Sequence, residues 1–373
     1  MSFLTIVFKN LLRRRTRSLL TIAGIAIGIA AVVALTSIAW GFEKSWEQAY
    51  RARGTDLVVT KITSQSPMPA PFNEKFAADL LKLPRVKEVS GLLTDLISIE
   101  DAPTTLVFGW ALDSFLWDHL KVVKGRKPSG DDEKAVVIGT VAADMLRKSI
   151  GAKIHIEADE FTICGIFEST ALVENGAVIM SLRQLQRVTE NTGKVNFLNV
   201  KLEPGSTQEQ VESLRKTIKE RFAGFNAFTS SEVAQSNTAI QAAKGMSWAT
   251  SLIALIVGAV GVTNTMLMSV FERIHEIGIL LAIGWRRSRI VRMILYESMA
   301  LSFLGGLAGV ALGFVAIKVI QTTPMIHGKI EGEISAALFG LAILVALALG
   351  VFGGLYPAVR GSRLSPTAAL RYE

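Results

Sequence analysis

The sequence predicts an α-helical membrane protein with four transmembrane helices and a large, mixed α/β extracytoplasmic domain on a helical stalk. Half of the 373 residues are hydrophobic, and the mean hydropathy is +0.39. The apolar residues are gathered into four long runs, and the excess of positive charge lies beside these runs. A helix needs about 20 predominantly apolar residues to cross the ~30 Å hydrocarbon core of a bilayer, and each run is long enough.

The four runs predict transmembrane helices at residues 18–42, 245–271, 290–320 and 334–357. The third run is interrupted near its start by Glu297 and is uncharged from Ser298 to Ile317. The alternative is a large soluble protein with four buried helices. Soluble helices of this length usually keep a polar face, so the membrane interpretation is favoured.

The N-terminal segment is predicted to be an uncleaved membrane anchor. The first run is longer than the roughly 7–15 apolar residues of a cleaved signal peptide, and no convincing small-x-small cleavage site precedes Glu43. Residues 1–17 have apolar residues at helical spacing followed by arginines, which favours a cytoplasmic amphipathic helix on the membrane surface. An early start of the first transmembrane helix is the alternative.

The distribution of charge predicts the topology. Residues 42–245 contain 25 Lys and Arg against 26 Asp and Glu, so the net charge of +8 comes from the rest of the chain. Cytoplasmic loops are enriched in Lys and Arg, which places both termini, including residues 358–373, and residues 272–289 in the cytoplasm. Residues 43–244 and the link 321–333 are then extracytoplasmic. This distribution differs from the basic patch of a nucleic-acid-binding protein, so no nucleic-acid partner is expected.

Residues 43–244 are predicted to form the mixed α/β domain. The strand candidates are residues 56–62, 92–99, 104–108, 135–138, 154–156, 161–167, 177–180 and 196–202. The helix candidates are residues 73–83, 141–148, 182–190 and 207–222. Residues 64–71 are a Pro-rich loop, and the polar segment 124–132 is a candidate break between two lobes. The helices that enter and leave the domain are expected to form a paired stalk, and the single cysteine, Cys164, is interpreted as a buried strand residue.

No catalytic machinery is recognisable. The sequence has no G-x-x-x-x-G-K-[ST] phosphate loop, no nucleophile elbow and no H-E-x-x-H pair, and its four histidines are not at metal-binding spacing. No catalytic residue, cofactor or metal is therefore expected. Glu297 within the third span is compatible with a proton relay, but its position one turn after Arg292 favours pairing with a basic residue or a backbone group.

Small and polar residues inside the spans predict close helix packing. Gly305, Gly309 and Gly313 recur every four residues in the third span, which suits contact with another span or another subunit. Asn264 lies between two threonines at mid-depth in the second span. It is expected to bond across helices rather than to line a pore.

The segment between the second and third spans, residues 272–289, has the most informative pattern. Glu272, Arg273 and Glu276 lie at helical spacing and are followed by apolar residues from Ile277 onward. This predicts a short amphipathic cytoplasmic helix. It is compatible with a surface that docks a partner and with an interfacial membrane helix.

This segment resembles the E-R-x-x-E-I-G-x-x-x-A-I-G signature of permease subunits of the MacB/FtsX-type ABC transporter family. The matching residues are Glu272, Arg273, Glu276, Ile277, Gly278, Ala282, Ile283 and Gly284. Residues 357–373 are similar to the family's closing pattern, with Gly361 where alanine is usual, and residues 123–167 resemble the MacB-like periplasmic domain. Leu281, where a basic residue is frequent, and Trp285 depart from the signature.

The resemblance implies a mechanism and a set of partners. Two permease copies, expected to be a homodimer, would each dock a separate ABC ATP-binding subunit through residues 272–284. ATP-driven motion would pass through the stalks to the outer domains and export a substrate across a bacterial cytoplasmic (inner) membrane. A periplasmic adaptor protein is a candidate further partner, and membrane lipid would surround the spans.

Three other functions remain open at this point. They are an FtsX-like signalling subunit that activates a cell-wall hydrolase, a lipoprotein-releasing permease, and a sensor without an ATPase partner. The large outer domain and its MacB-like strands favour export over signalling. The sequence does not identify the substrate.

Overall fold

The computed structural model describes residues 15–61, 69–100, 104–236, 238–322 and 335–363. These residues form two compact units. The helical unit comprises the described residues up to 39, 243–320 and from 335 onward, and the sheet unit comprises residues 40–242 with 321–322. Four predicted segments lie wholly or mostly outside the described residues: the amphipathic helix (1–17), the Pro-rich loop (64–71), the extracytoplasmic link (321–333) and the C-terminal segment (358–373).

Eleven α-helices occur among the described residues. In chain order they are α1 (Arg15–Ala52), α2 (Phe76–Leu80), α3 (Thr140–Leu146), α4 (Leu172–Asn175), α5 (Leu182–Val188), α6 (Gln208–Arg221), α7 (Ser230–Ser236), α8 (Thr238–Phe271), α9 (Ile274–Ala282), α10 (Arg287–Thr322) and α11 (Ala336–Ser362). A short 3₁₀ turn spans Phe115–Trp117.

Four of the described helices are long and apolar enough to cross a membrane. They are α1, α8, α10 and α11, with mean hydropathies of 2.5, 1.9, 2.1 and 2.5 over their most apolar stretches. This confirms the four predicted apolar helices. The helices continue beyond the predicted spans; α1 reaches Ala52 because no glycine or proline interrupts the chain between Phe42 and Gly54.

The sheet unit is built on one mixed ten-stranded sheet. The strands are β1 (Leu57–Lys61), β2 (Phe72–Asn73), β3 (Val86–Ile97), β4 (Thr105–Trp110), β5 (Lys121–Gly125), β6 (Ala135–Gly139), β7 (Lys153–Ile156), β8 (Asp159–Glu168), β9 (Val178–Ser181), β10 (Lys194–Val195), β11 (Phe197–Leu202) and β12 (Phe225–Thr229). The order is β12-β1-β11-β3-β4-β9-β6-β8-β5, with β7 paired to β8, while β2 and β10 form a separate pair. The pairs β4–β9 and β6–β8 are parallel.

All eight predicted strands have counterparts, as do the four predicted helices of this domain. The strands β2, β5, β10 and β12 were not predicted. β2 and β10 have two residues each, and β5 carries Lys121 and Lys124 and is mostly exposed, so none of these three shows the alternating apolar pattern of a half-buried strand.

The predicted break between two lobes is wrong. The strands on its two sides, β5 and β6, both pair with β8 and therefore belong to one sheet. Lys124 itself lies in β5 opposite Ile166. The polar residues that follow form an exposed turn, in which the Arg126 guanidinium pairs with Glu133.

Cys164 lies in β8, as predicted, but it is half-buried rather than buried. Its Sγ donates a hydrogen bond to the Val136 carbonyl oxygen at 3.3 Å. Burial raises the pKa of this thiol, which makes it a poor nucleophile.

Two apolar clusters form the core of the sheet unit. One is aliphatic and lies against α2, α3, α5 and α6. The other is rich in aromatic residues and includes Trp46 and Tyr50 of α1, Val233 of α7 and Ile240 of α8. The end of α1 and the start of α8, which were expected to form a stalk, thus contribute side chains to the core of this unit.

Candidate coupling site

The segment between α8 and α10 forms a compact link within the helical unit. α8 ends at Phe271, and α9 begins at Ile274, directly after a bend at Glu272 and Arg273. Arg273 has φ −120° and ψ 21°, which is outside the helical region, and its backbone N–H donates to the Val270 carbonyl oxygen at 3.1 Å. The helical hydrogen-bonding pattern of α8 therefore does not continue into α9.

Arg273 ties the link to the third long helix. Its Nη1 lies 3.0 Å from Glu297 Oε2, and its Nε lies 3.2 Å from Glu276 Oε2. The side chains of Arg273 and Glu297 are only 16% and 8% exposed, so their attraction is poorly screened by water. Glu297 therefore serves as the partner of a basic residue. Sequence reasoning expected such a partner but did not identify Arg273, which is 24 residues away.

α9 has a buried face and an exposed face. Ile274, Ile277 and Gly278 are buried, and α9 contacts α11. The exposed face includes Ile279 and Ile283, whose side chains are 41% and 68% exposed. The remaining signature residues on this side are Glu272, Glu276, Ala282 and Gly284. The eight predicted coupling residues thus form two groups. Three of them fix the link, namely Arg273, Ile277 and Gly278, and the other five are exposed.

The end of α9 is a Schellman turn that requires glycine. Gly284 has φ +96°, a left-handed conformation that strains other residues. The Gly284 N–H donates to the Leu281 carbonyl at 3.1 Å, and the Trp285 N–H donates to the Leu280 carbonyl at 3.0 Å. The Arg289 guanidinium lies 4.8 Å from the centre of the Trp285 ring, which supports the start of α10.

The glycines of α10 lie against α1. A Cβ added to Gly305, Gly309 or Gly313 would come within 2.7 to 3.0 Å of atoms in α1. Such contacts are too close for ordinary side chains, so these glycines let the two backbones approach. The α1 residues approached, in the same order, are Ile25, Ile29 and Val33.

The polar residues of the second span are divided between two faces of α8. Thr263 Oγ1 donates to the Gly353 carbonyl oxygen at 2.9 Å, and the hydroxyls of Thr265 and Thr21 are 2.8 Å apart. These bonds connect α8 to α11 and to α1. The Asn264 side chain is exposed and has no hydrogen-bond partner among the described residues. The threonines, rather than Asn264, make the cross-helix bonds within this unit.

The sheet unit contains a buried polar cluster that sequence reasoning missed. Arg53 Nε lies 2.7 Å from Glu174 Oε1, and neither side chain is exposed. His119 Nε2 lies 2.8 Å from Glu174 Oε2, to which Ser169 Oγ also donates. These residues are up to 121 positions apart and form no motif, so no signal in the sequence could have identified them together.

Aromatic rings surround the Arg53 guanidinium. Its Cζ lies 5.3 Å from the centre of the Tyr50 ring, 4.9 Å from that of Phe108 and 5.3 Å from that of Trp110. Within the described part of the chain its two Nη atoms have no hydrogen-bond partner, so the ring faces supply the attraction on that side. Arg53 directly follows α1 and anchors the end of that helix in the core of the sheet unit.

The electrostatics of this cluster favour a charged Glu174. Burial by itself raises the pKa of a carboxyl group, but here the Arg53 charge and the hydrogen bonds from His119 and Ser169 outweigh it and hold the pKa of Glu174 below its ordinary value. Burial also raises the pKa of Tyr50 to about 12. Among the described residues, no group of three or more His, Cys, Asp or Glu side chains could hold a metal ion.

Both parts of the chain match known families. Residues 18–217 match the MacB-like periplasmic core domain, and residues 248–366 match the FtsX-like permease C-terminal domain. The first match includes most of the sheet unit. The second includes α9 together with α10 and α11.

Three related proteins match almost the whole chain. The uncharacterized ABC transporter permease MJ1507 of Methanocaldococcus jannaschii is 28% identical over 99% of this chain and 98% of its own length. The uncharacterized ABC transporter permease YknZ of Bacillus subtilis is 23% identical over 98% of this chain and 97% of its own. The macrolide export ATP-binding/permease protein MacB of Haemophilus ducreyi is 28% identical over 98% of this chain, which spans only 55% of that longer protein. The chain therefore belongs to the MacB/FtsX family of ABC transporter permeases.

Proposed function

We propose that this permease is the membrane subunit of an export complex and that a separate ATP-binding subunit docks on the exposed face of α9. Motion of the docked subunit would pass through α9 to α10 and α1 and from there to the sheet unit. The substrate would be exported from the outer side of the membrane. This chain would transmit force and would not itself hydrolyse ATP.

The division of α9 into a fixed face and an outward face supports this proposal most directly. Ile283 and Ile279 are apolar but exposed, and Glu276 lies beside them, which suits a surface that a protein partner covers. The opposite face is fixed by buried Ile277 and by the Arg273–Glu297 ion pair. A displacement of the exposed face would therefore also displace the N-terminal part of α10, where Glu297 lies.

We propose that α9 lies in the cytoplasm and that the sheet unit lies outside the cytoplasmic membrane. Exposed basic side chains lie at the start of α10, which follows α9, and at the end of α11, in agreement with the enrichment of cytoplasmic loops in Lys and Arg. They are Arg286, Arg287, Arg289 and Arg292 near the start of α10 and Arg360 and Arg363 near the end of α11. This orientation places the docking surface where ATP is available.

A separate ATP-binding subunit is proposed because the sequence contains no phosphate loop. The relatives of similar length, MJ1507 and YknZ, are named permeases, whereas the longer MacB of Haemophilus ducreyi is named an ATP-binding/permease protein. We propose export as the type of transport. The name of the relative MacB refers to macrolide export by that protein, and our proposal does not name a substrate for this chain.

A charge reversal on α9 tests the coupling. Glu276→Lys should leave membrane insertion intact but abolish the ATP-dependent change in the sheet unit, because it reverses the charge of the docking surface. Limited proteolysis of the purified complex, with and without ATP, measures that change. Glu220→Lys is the matched control, since Glu220 is an exposed carboxylate in the last turn of α6 in the sheet unit.

The proposal predicts that wild type and Glu220→Lys show an ATP-dependent cleavage pattern and that Glu276→Lys does not. If Glu276→Lys retains both a bound ATP-binding subunit and the full ATP-dependent change, then α9 is not the coupling element.

A further inference from the structure

Four exposed arginines are grouped at the start of α10. They are Arg286, Arg287, Arg289 and Arg292. None of the four forms an ion pair with a carboxylate among the described residues, whereas the nearby Arg273 pairs with both Glu297 and Glu276. Neighbouring positive charges repel one another, and no described residue of the chain balances this group. A negatively charged group from outside the chain would stabilise it.

Two of these arginines share one face of α10 with apolar residues. We call this surface the Arg289 face; it comprises Arg289, Arg292, Tyr296, Phe303 and Leu307. At 3.6 residues per turn, the other four residues lie within about 40° of Tyr296 around the helix axis. Tyr296, Phe303 and Leu307 are 50%, 40% and 38% exposed. Leu301, on the opposite side of α10, is only 3% exposed. The Arg289 face is therefore turned away from the other helices of its unit.

The Arg289 face has the length of one lipid leaflet. Because α10 is long and apolar enough to cross a membrane, the exposed apolar part of this face would meet acyl chains. From Arg292 to Phe303 the helix rises about 16 Å, at 1.5 Å per residue. This is about half of the ~30 Å hydrocarbon core of a bilayer. With Arg292 at the level of the phosphates, Phe303 would lie near the ends of the acyl chains of the same leaflet.

The ring of Trp285 holds one of the two guanidinium groups in place. Arg289 Cζ lies 4.8 Å from the centre of this ring. A contact with the ring face leaves the N–H donors at the edge of the guanidinium plane available. Two such donors match two oxygens of a phosphate in a bidentate arrangement. Tryptophan is also enriched at the level of the lipid headgroups, which agrees with this depth.

We propose that Arg289 and Arg292 bind the phosphate of an anionic phospholipid and that its acyl chains lie along the apolar residues of the Arg289 face. A lipid fits better than the acidic surface of a protein, because both arginines share a helix face with residues that meet acyl chains. Arg286 and Arg287 add positive charge beside the site, so a headgroup with a net negative charge is preferred to a zwitterionic one. The inference requires only that α10 spans a membrane and does not rest on the proposed function.

Native mass spectrometry of the purified full chain tests the proposal. The probes are phosphatidylglycerol, whose headgroup has a net negative charge, and phosphatidylcholine, whose headgroup has none. Each is titrated into the delipidated chain in detergent. The first phosphatidylglycerol should bind about 10-fold or more tightly than phosphatidylcholine, because each arginine near the membrane surface contributes about 5-fold to the affinity for anionic lipid. Glycerol 3-phosphate, which has no acyl chains, should not displace it at the same concentration.

Substitutions locate the site. Arg289→Gln combined with Arg292→Gln should raise the dissociation constant of phosphatidylglycerol about 10- to 30-fold, and Arg292→Gln alone about 5-fold. Arg289→Lys combined with Arg292→Lys keeps the charge and should have a smaller effect than the double glutamine variant. The matched control is Arg360→Gln combined with Arg363→Gln, which removes the same charge from exposed positions at the end of α11. It should bind phosphatidylglycerol as the wild type does.

A preference for phosphatidylglycerol that is lost with Arg289 and Arg292 and kept in the α11 control supports the proposal. It is overturned if the wild type binds both lipids equally, if the two double glutamine variants lose the preference equally, or if glycerol 3-phosphate displaces the lipid. It is also overturned if the α10 variant keeps its lipid affinity but loses a co-purifying ATP-binding subunit, since the arginines would then belong to a protein interface. Absence of that subunit from the wild type would contradict the proposed function without affecting the lipid measurement.

Discussion

At the scale of single residues, the Arg273–Glu297 ion pair gives the family signature a physical role. The arginine of the signature is held 3.0 Å from a carboxylate in α10 that is almost fully buried. Removing one partner of a buried pair leaves an uncompensated charge, whereas replacing both with apolar residues is much less costly. Loss of one partner should therefore destabilise the link more than loss of both partners.

A double-mutant cycle tests this role. Arg273→Leu alone should destabilise the purified chain by about 3 kcal/mol or more, and Arg273→Leu combined with Glu297→Leu should cost less than half of that amount. Thermal unfolding in detergent provides the free energies. Additive effects of the two substitutions would show that the side chains do not interact.

The buried Glu174 leads to a prediction about pH. Its folded-state pKa lies below the ordinary value of 4.5, so its charge stabilises the fold at pH values above 4.5, and this stabilisation is lost as the pH falls through the lower, folded-state pKa. Wild type should therefore lose more thermal stability between pH 7 and pH 3 than Glu174→Gln does. At pH 7, Glu174→Gln should be less stable by about 3–5 kcal/mol, because Arg53 loses its charged partner.

The control for this prediction is Glu220→Gln, at an exposed position of α6. Its unfolding temperature should follow that of the wild type across the pH range. Parallel pH profiles for wild type and Glu174→Gln would show that the Glu174 charge does not stabilise the folded chain.

At the scale of elements, the contact between α10 and α1 depends on the absence of side chains. A Cβ at Gly309 would lie 2.7 Å from Ile29 Cβ and 2.8 Å from the Ala26 carbonyl oxygen. Gly309→Ala should therefore destabilise the chain by about 1–3 kcal/mol, although alanine favours the helix by itself. Gly340→Ala in α11 is the matched control, since an added Cβ there meets nothing within 4 Å, and it should be neutral or stabilising. Equal unfolding temperatures for the two variants would contradict this packing.

The elements also show which features a sequence can predict. The apolar runs identified all four long helices, because a bilayer-spanning helix needs many consecutive apolar residues. The alternation of apolar residues identified strands such as β8, whose buried and exposed residues alternate. β5, with its exposed lysines, lacks that signal and was missed. The signature located the link, but only the structure separated buried Ile277 from exposed Ile283.

At the scale of the whole molecule, the long-range contacts were beyond prediction from one sequence. The Arg53–Glu174 pair joins the end of α1 to a residue 121 positions later, and no local pattern specifies that distance. The same holds for Arg273 and Glu297, although each was singled out separately. The sequence indicated which residue types were unusual, and tertiary packing determined which of them meet.

The proposed function requires a complex with an ATP-binding subunit. The most direct test is therefore to identify the proteins that this complex contains. The full chain should be purified from native membranes in mild detergent, and every co-purifying protein should be identified by mass spectrometry. We expect an ATP-binding subunit in stoichiometric amount, retained by wild type and by Glu220→Lys. A cell-wall hydrolase in the same preparation would favour a signalling function over export. A preparation of this chain alone, repeated in several detergents, would contradict the proposal that it works with a separate ATP-binding subunit.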